Sequence, residues 1–319
     1  MKRLFSFVLA ALMLLTLTAC GSGSEQADRP AQTEAPAAPV ETAAPTAAPT
    51  EAPTEAPAPA ALESSGTLGD YAVEIGECEL CRDYSGKPAL LVNYTFTNNS
   101  EENCSGMLAL NTDAYQNGLQ LDVAMIMDSS IYSAEDGMKE IQPGATISLK
   151  AAFSLNSETA PVEFEVSEVF SIGDDKLGKV FEISEGGETV YSVAPGAESA
   201  EDLGDYAVSV ISHELARDYD GNAALVVTYG FTNNSRDTRS FLFAIEANAF
   251  QDGIELEMAV IGDSSLVDSG SQMRNVRPGA GQAVTVAYLL TSETSPVELE
   301  ISEYMSFSDD KIEMTIDLA

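Results

Sequence analysis

The chain carries one segment of about 116 residues twice in tandem. Residues 69–184 align with residues 204–319 without a gap, and about 50 of the aligned positions are identical. The motif Gly-Asp-Tyr-Ala-Val at 69–73 returns at 204–208, and Phe-Thr-Asn-Asn-Ser at 96–100 returns at 231–235. A repeat of this length is a structural module in itself. The sequence therefore predicts two domains of one fold, joined by a hinge at residues 185–203.

Each copy is rich in stretches where apolar and polar residues alternate between turn residues, which is typical of half-buried β-strands. Intervening residues such as Leu91 should point away from the core, and Glu163 and Glu165 should face water. The side chains expected to face the core of the first copy recur in the second: Leu90, Val92, Tyr94, Phe96, Leu149, Ala151, Phe153, Leu155, Val162, Phe164, Val166, Phe181 and Ile183.

A tight hairpin is predicted at Asn117-Gly118, where the second copy has Asp252-Gly253. These dipeptides favour a type I′ turn, since both central residues need positive φ. The strand before the turn should begin near Leu108, and the strand after it should point alternate side chains at the core, namely Leu119, Leu121, Val123 and Met125. With about seven or eight strands per copy, the pattern predicts two tandem immunoglobulin-like antiparallel β-sandwiches, an all-β fold.

The order of these motifs resembles the immunoglobulin-like domain of unknown function numbered 5067, which occurs in exported lipoproteins of Gram-positive bacteria. The resemblance spans both copies, and four features carry it: Asp-Tyr-x-Gly at 83–86, the stretch from 94 to 100, Gln-Asn-Gly at 116–118 with Gln-Asp-Gly at 251–253, and the late Pro-Gly pairs. It implies a fold and an envelope location, and it implies no reaction, cofactor or ligand.

The N-terminus resembles a bacterial lipoprotein signal. Lys2 and Arg3 precede an apolar stretch, and Leu-Thr-Ala-Cys at 17–20 is similar to a lipobox. Residues 1–19 are therefore expected to be a signal peptide, and Cys20 is expected to be lipidated and to become the mature N-terminus. The apolar stretch is too short for a spanning helix. The alternative is an ordinary secretory signal with an incidental cysteine.

Residues 20–68 are expected to be a disordered tether. Ala, Pro, Thr and Glu dominate this segment, as in Ala-Pro-Thr-Glu-Ala-Pro-Thr-Glu-Ala-Pro at 48–57. Such a composition cannot form a core, and its prolines favour an extended chain. The tether would lift the two domains off the outer face of a cell membrane, in a Gram-positive envelope.

The chain is strongly acidic, with a formal net charge of −36 from 51 acidic and 15 basic residues. This charge argues against nucleic acid and anionic lipid as partners, because both need a positive field. Contact with the membrane is therefore expected through the lipid anchor only. Other partners would be an unknown envelope protein or glycan; simple solubility is the alternative reading of the charge.

Three cysteines of the first copy form a candidate redox or metal motif, which we judge weak. Cys78 and Cys81 should lie on opposite faces of one strand, too far apart for a mutual disulfide. A bridge from Cys104 to Cys78 or Cys81 stays open as a local addition. The second copy has His213, Ala216 and Arg239 at these positions, so the fold cannot require the cysteines.

No catalytic residue, cofactor site or firm metal site is expected. Asp218 and Asp220 are weak calcium candidates because they supply alternating oxygens, but the segment lacks the length and the terminal glutamate of an EF-hand. His213, the single histidine, has no counterpart in the first copy, which weakens histidine-based catalysis. Aspartates 128, 263, 309 and 310 could pair for glycoside hydrolysis, but any chain this acidic offers such pairs.

Duplication favours binding over catalysis, since a second copy adds avidity or reach whereas one active site seldom needs it. The first hypothesis is thus a surface lipoprotein that presents two modules for binding or structural spacing, and that is not an enzyme. The alternative is an accessory subunit of an envelope transporter or wall enzyme. A wall-polymer hydrolase is the third hypothesis.

Overall fold

The computed structural model describes residues 62–170, 175–183, 200–306, 308 and 310–318. The predicted signal peptide, Cys20, most of the tether and most of the hinge lie outside these residues. Both repeats belong to one compact unit, Glu55–Ala319. The predicted all-β class is confirmed, because antiparallel strands dominate both repeats and each helical segment is at most five residues long. No helix in the described part of the chain is long and apolar enough to span a membrane.

The described residues of repeat 1 form eight strands, a one-turn helix and a short 3-10 helix. One sheet has the order β1-β2-β3-β6, and the second contains β5-β4-β7-β8. The elements are β1 (Ser65–Leu68), β2 (Tyr71–Arg82), β3 (Pro88–Asn98), α1 (Gly106–Ala109), β4 (Leu110–Gln116), β5 (Leu119–Gln120), the 3-10 helix (Ala134–Met138), β6 (Thr146–Ser154), β7 (Val162–Glu168) and β8 (Lys176–Phe181).

Repeat 2 follows the same order, with sheets β16-β11-β10-β9 and β14-β13-β17-β18. Two further short strands, β12 and β15, lie beside the second sheet of repeat 1. The elements are β9 (Glu201–Leu203), β10 (Tyr206–Arg217), β11 (Ala223–Asn233), β12 (Arg239–Ser240), α2 (Phe241–Ala244), β13 (Ile245–Gln251), β14 (Ile254–Glu255), β15 (Asn275–Val276), β16 (Gly281–Leu289), β17 (Val297–Glu303) and β18 (Lys311–Ile316).

Each repeat closes around its own core between its two sheets. All thirteen side chains predicted to face the first core are buried there, and their counterparts from β11, β16 and β17 fill the second core. One residue crosses the boundary: Leu119 of repeat 1 packs into the core of repeat 2.

The first strand of each repeat begins earlier than the predicted domain boundary. Strand β1 lies in the segment assigned to the tether, and β9 lies in the segment assigned to the hinge; each pairs with the next strand of its own repeat. Both segments are short and polar, so their sequences alone resemble linker.

The predicted type I′ hairpins are present, since Asn117, Gly118, Asp252 and Gly253 all have positive φ. The returning strand is much shorter than predicted. After Leu121, whose amide donates to the Ala114 carbonyl, the chain crosses to the edge of the other sheet and pairs with β6. Val123 and Met125 consequently face solvent rather than the core, which corrects that part of the prediction.

Two further expectations are corrected. Leu108 lies exposed on α1 rather than at the start of a strand. Leu91 is fully buried although it points away from the main core, because Ala124, Ile126, Ile131 and Tyr132 cover the outer face of the first sheet. Alternation therefore identifies the two faces of this strand but not what covers each face.

Two buried polar side chains per repeat explain the recurring Asn and Gln motifs. Asn98 donates to the carbonyls of Glu102 and Ile141, and its twin Asn233 donates to those of Asp237 and Val276. The side chains of Gln116 and Gln251 likewise bind backbone groups of the loop before β7 in repeat 1 and before β17 in repeat 2. Because buried polar groups need partners, these motifs hold loops in place and are structural.

Candidate functional site at the junction of the repeats

The hairpin β4-β5 of repeat 1 docks edge to edge on strand β15 of repeat 2. Leu119 pairs with Val276, and the Arg277 amide donates to the Gly118 carbonyl at 2.9 Å. The Asn275 amide donates to the Gln120 side chain at 3.1 Å. A six-stranded sheet of order β12-β15-β5-β4-β7-β8 thereby runs through both repeats. Asn233 holds the Val276 carbonyl and so fixes the docking strand within its own repeat.

Arg277 is the central side chain of the junction. Its guanidinium lies over the Tyr115 ring, 4.1 Å from the centroid. It forms ion pairs with Glu163 at 2.9 Å and Glu165 at 2.7 Å. The side chain of Glu165 is only 12% exposed, so the expectation that this residue faces water was wrong. The acidic face of β7 meets a cation from the neighbouring repeat instead of solvent.

Tyr115 is buried at the junction. Burial raises the pKa of its hydroxyl well above the usual range, and the nearby carboxylates Asp113 and Glu165 add to that rise. Burial also raises the pKa of Asp113, although hydrogen bonds from Gln120 and Asn111 oppose the increase. Charge-assisted contacts are stronger in such surroundings than in water.

Arg274 forms a second cross-repeat ion pair, with Asp122 at 3.0 Å, and it also binds Asp268 in its own repeat at 3.1 Å. Burial by itself would lower the pKa of Arg274, but the two carboxylates outweigh this effect and raise it. A cleft of about 750 Å³ lies beside this contact, lined by residues of both repeats that include Lys87, Asp122, Asn156, Arg274 and Gln282. At the end of the cleft near Arg274, the charged side chains form ion pairs with one another.

The same positions are free in the opposite copies. Ile254, the twin of Leu119, is 67% exposed, whereas Leu119 is 7% exposed. Gln142 stands in repeat 1 where repeat 2 has Arg277, and it is exposed. The repeats thus associate head to tail, and within the part of the chain that the structure describes, the hairpin of repeat 2 and the corresponding edge of repeat 1 have no such partner.

The sequence did not identify this junction. The available signal was a difference between the copies: Arg-Asn-Val-Arg at 274–277 replaces Lys-Glu-Ile-Gln at 139–142 in a chain with only 15 basic residues. The sequence pattern within one repeat does not show that its hairpin pairs with a strand of the other repeat.

The three cysteines are free thiols and are not brought together. Cys78 packs against the main core and Cys81 against the outer apolar cluster, so they lie on opposite faces as expected. Cys104 pairs with Ile141 next to Asn98, whereas Cys78 pairs with Val92, roughly 20 Å along the strand. A disulfide needs α-carbons within about 7 Å.

The calcium candidates lie in the turn between β10 and β11. The carboxylate of Asp218 accepts hydrogen bonds from the amide and side chain of Asn222, and Asp220 is exposed. Across the described residues there is no group of three or more His, Cys, Asp or Glu that could hold a metal ion. His213 lies exposed on β10.

The structure describes three of the four aspartates considered for hydrolysis, and each of these makes a hydrogen bond with a serine two residues away. Asp128 and Asp263 each accept hydrogen bonds from a serine two residues later, and these bonds lower the pKa of both carboxyls. Asp310 accepts from Ser308, and Asp309 lies outside the described residues. Those with described contacts take part in local turns.

Comparison with known proteins gives one family and several distant structures. A protein of Enterococcus faecalis solved by NMR is 20% identical, with a TM-score of 0.31, over 39% of this chain and 94% of that one. The exo-chitosanase CsxA of Amycolatopsis orientalis is 12% identical, with a TM-score of 0.22, over 75% of this chain and 26% of that one. The serine-rich repeat protein Srr2 of Streptococcus agalactiae is 10% identical, with a TM-score of 0.17, over 78% and 93%.

No protein with a curated description matches the chain. The family model described as "Domain of unknown function (DUF5067)" matches residues 47–168 and 197–303. These two regions together cover more than half of the chain and correspond to the two repeats. The chain therefore belongs to the DUF5067 family.

Proposed function

We propose that this protein is a non-catalytic lipoprotein on the outer face of the cell membrane, whose two repeats act as one binding element in the envelope. Cys20 would carry the lipid, and residues 21–61 would serve as the tether. The partner would be an envelope protein or glycan, since the acidic chain disfavours nucleic acid.

The observation that carries this proposal is an apolar surface present in both repeats, which we name the turn surface. It consists of Tyr84, Val123 and Met125 in repeat 1, and of Tyr219, Met258 and Val260 in repeat 2. Each of these side chains is at least 60% exposed. The Tyr84 amide donates to the Met125 carbonyl at 2.9 Å, and the Tyr219 amide donates to that of Val260 at 2.8 Å, so in each repeat the tyrosine turn is joined to the segment that follows the hairpin.

The turn surface has features that favour recognition. Tyr and Met are enriched at protein interfaces, and Met adapts to irregular partners. Single exposed apolar residues need no explanation, but the same three positions are apolar and exposed in both copies. A stiff junction would hold the two surfaces at a fixed separation, which favours simultaneous engagement of a partner.

Crosslinking in cells that produce the full-length chain tests the proposal. We expect capture of one dominant neighbour, with lower yield for Tyr84→Ser or Tyr219→Ser and near loss for the double variant, since the two contacts act together. The matched control is Leu108→Ser with Phe243→Ser, which alters exposed apolar positions on α1 and α2.

Two results would count against the proposal. An unchanged crosslinking yield in the double Tyr variant would show that the turn surface does not bind the partner. Turnover of wall polymer by the purified protein would show that the protein is an enzyme. The anchor has its own test: Cys20→Ser should shift the protein from the membrane fraction to the medium.

A further inference from the structure

The hairpin β13-β14 of repeat 2 is the twin of the hairpin that docks within the molecule. Its edge strand β14 pairs only with β13 among the described residues. Ile254 is exposed where Leu119 is buried, and the space next to Gly253 is open where Gly118 meets Ala280. Repeat 2 therefore presents an edge whose counterpart in repeat 1 is covered by a strand.

Among the described residues, the acidic face next to this edge has no counterpart of Arg277. In repeat 1, Glu165 has both Lys176 at 3.0 Å and Arg277 at 2.7 Å. In repeat 2, the twin Glu300 has only Lys311 at 3.6 Å among the described residues. Phe250 replaces Tyr115 as the ring over which an arginine could stack, and it is half-buried.

We propose that the free hairpin of repeat 2 binds an extended segment of another protein that carries an arginine next to an aliphatic residue. The segment adds to β14 as a strand, in the way that β15 adds to β5. Its aliphatic side chain covers Ile254, and its arginine lies over Phe250 and pairs with Glu298 and Glu300. Strand addition uses backbone hydrogen bonds for affinity and side chains for specificity.

Charge complementarity selects this occupant over a second copy of the chain. The unused docking edge of repeat 1 offers Glu140 and Gln142 where β15 has Asn275 and Arg277. Gln142 cannot neutralise Glu298 and Glu300, and Glu140 would approach Glu255. Like charges at an interface disfavour the wrong partner, and the missing arginine keeps head-to-tail association from continuing between molecules.

The test uses a peptide with the sequence of residues 272–280, Gln-Met-Arg-Asn-Val-Arg-Pro-Gly-Ala, added to the ¹⁵N-labelled full chain. At peptide concentrations up to about 1 mM, we expect shifts of the amide signals of Gly253, Ile254 and Glu255. A peptide with Arg277→Glu should bind at least about tenfold more weakly. The hairpin of repeat 1 should not respond, since its own strand is held at high effective concentration.

The double variant Glu298→Gln with Glu300→Gln should weaken peptide binding about tenfold while its other amide signals stay in place. Absence of shifts at 253–255, or equal binding of the Arg277→Glu peptide, would overturn the proposal. The two proposals have different readouts, since this one is measured by peptide-induced shifts at residues 253–255 and the proposed function by the crosslinking yield of the Tyr variants. Failure here and failure of the proposed function are thus distinguishable.

A gain-of-association variant provides a second measurement. Glu140→Asn with Gln142→Arg gives repeat 1 the docking residues of repeat 2 and should make the chain associate at about 100 µM in sedimentation velocity. Adding Glu298→Gln and Glu300→Gln should reverse this. A variant that stays monomeric would contradict the docking mode, and a wild-type chain that associates through Ile254 would replace the proposed partner by a second copy.

Discussion

Replacement of Arg277 by Gln should uncouple the two repeats without unfolding either one. The variant gives repeat 2 the residue that repeat 1 carries at the same position, Gln142, so it fits the local fold. It removes two ion pairs with partly buried carboxylates and the contact with the Tyr115 ring. Breaking a buried ion pair costs about 3–5 kcal/mol, and a cation-π contact adds about 0.5–2 kcal/mol.

The net cost is expected near the lower end, about 3 kcal/mol, because Lys176 still pairs with Glu165. This corresponds to a shift of about 150-fold toward undocked repeats, since each 1.4 kcal/mol is tenfold. The assay is native-state hydrogen exchange of the amide at residue 277, which donates to the Gly118 carbonyl across the junction.

The matched control for this experiment is Arg239→Gln, which removes the same charge from a more exposed arginine paired with Asp237. It should change stability by less than about 0.5 kcal/mol. If the amide at residue 277 exchanges equally fast in the wild type, Arg277→Gln and Arg239→Gln, then Arg277 does not hold the junction.

The remaining predictions use the duplicated positions as internal controls. Leu119→Ala should destabilise the junction by about 2–4 kcal/mol in urea denaturation and Ile254→Ala by less than about 0.5, because only Leu119 is buried; equal effects would contradict this. Gly118→Ala should cost about 1–3 kcal/mol more than Gly253→Ala: both residues have positive φ, but only the Cβ at 118 would meet Ala280, at 2.6 Å. Burial raises the pKa of the Cys78, Cys81 and Cys104 thiols, so the unfolded chain loses its thiol protons at lower pH than the folded one. The free energy of unfolding should therefore fall as the pH rises past about 8.5, and at pH 8 alkylation should be slower in the folded protein than in the unfolded one. Fewer than three reactive thiols after denaturation without reductant would indicate a disulfide among these cysteines.

Much of each domain could be predicted from the sequence because its determinants are local. Alternation places Val162, Phe164 and Val166 in the core, and the Asn-Gly and Asp-Gly dipeptides set the hairpin turns. The returning strand was mispredicted beyond Leu121, since the same alternation continues after the chain has crossed to the other sheet. Periodicity reports which residues share a face and cannot report which sheet they join.

The junction could not be predicted for a related reason. The pattern shows that Glu163 and Glu165 point away from the core of their own repeat, but it cannot show that Arg277 covers them. Contacts between the repeats join residues that are far apart in the sequence. Only comparison of the copies, position by position, reveals that Leu119 and Ile254 have different environments.

We infer that the junction holds the two repeats together as one stiff unit. Residual dipolar couplings of backbone amides in the full chain test it most directly, because couplings from both repeats depend on their relative orientation. We predict that one alignment tensor fits residues 65–168 and 201–303 together, and that Arg277→Gln makes two tensors necessary. Two different tensors in the wild-type protein would show instead that the repeats move independently.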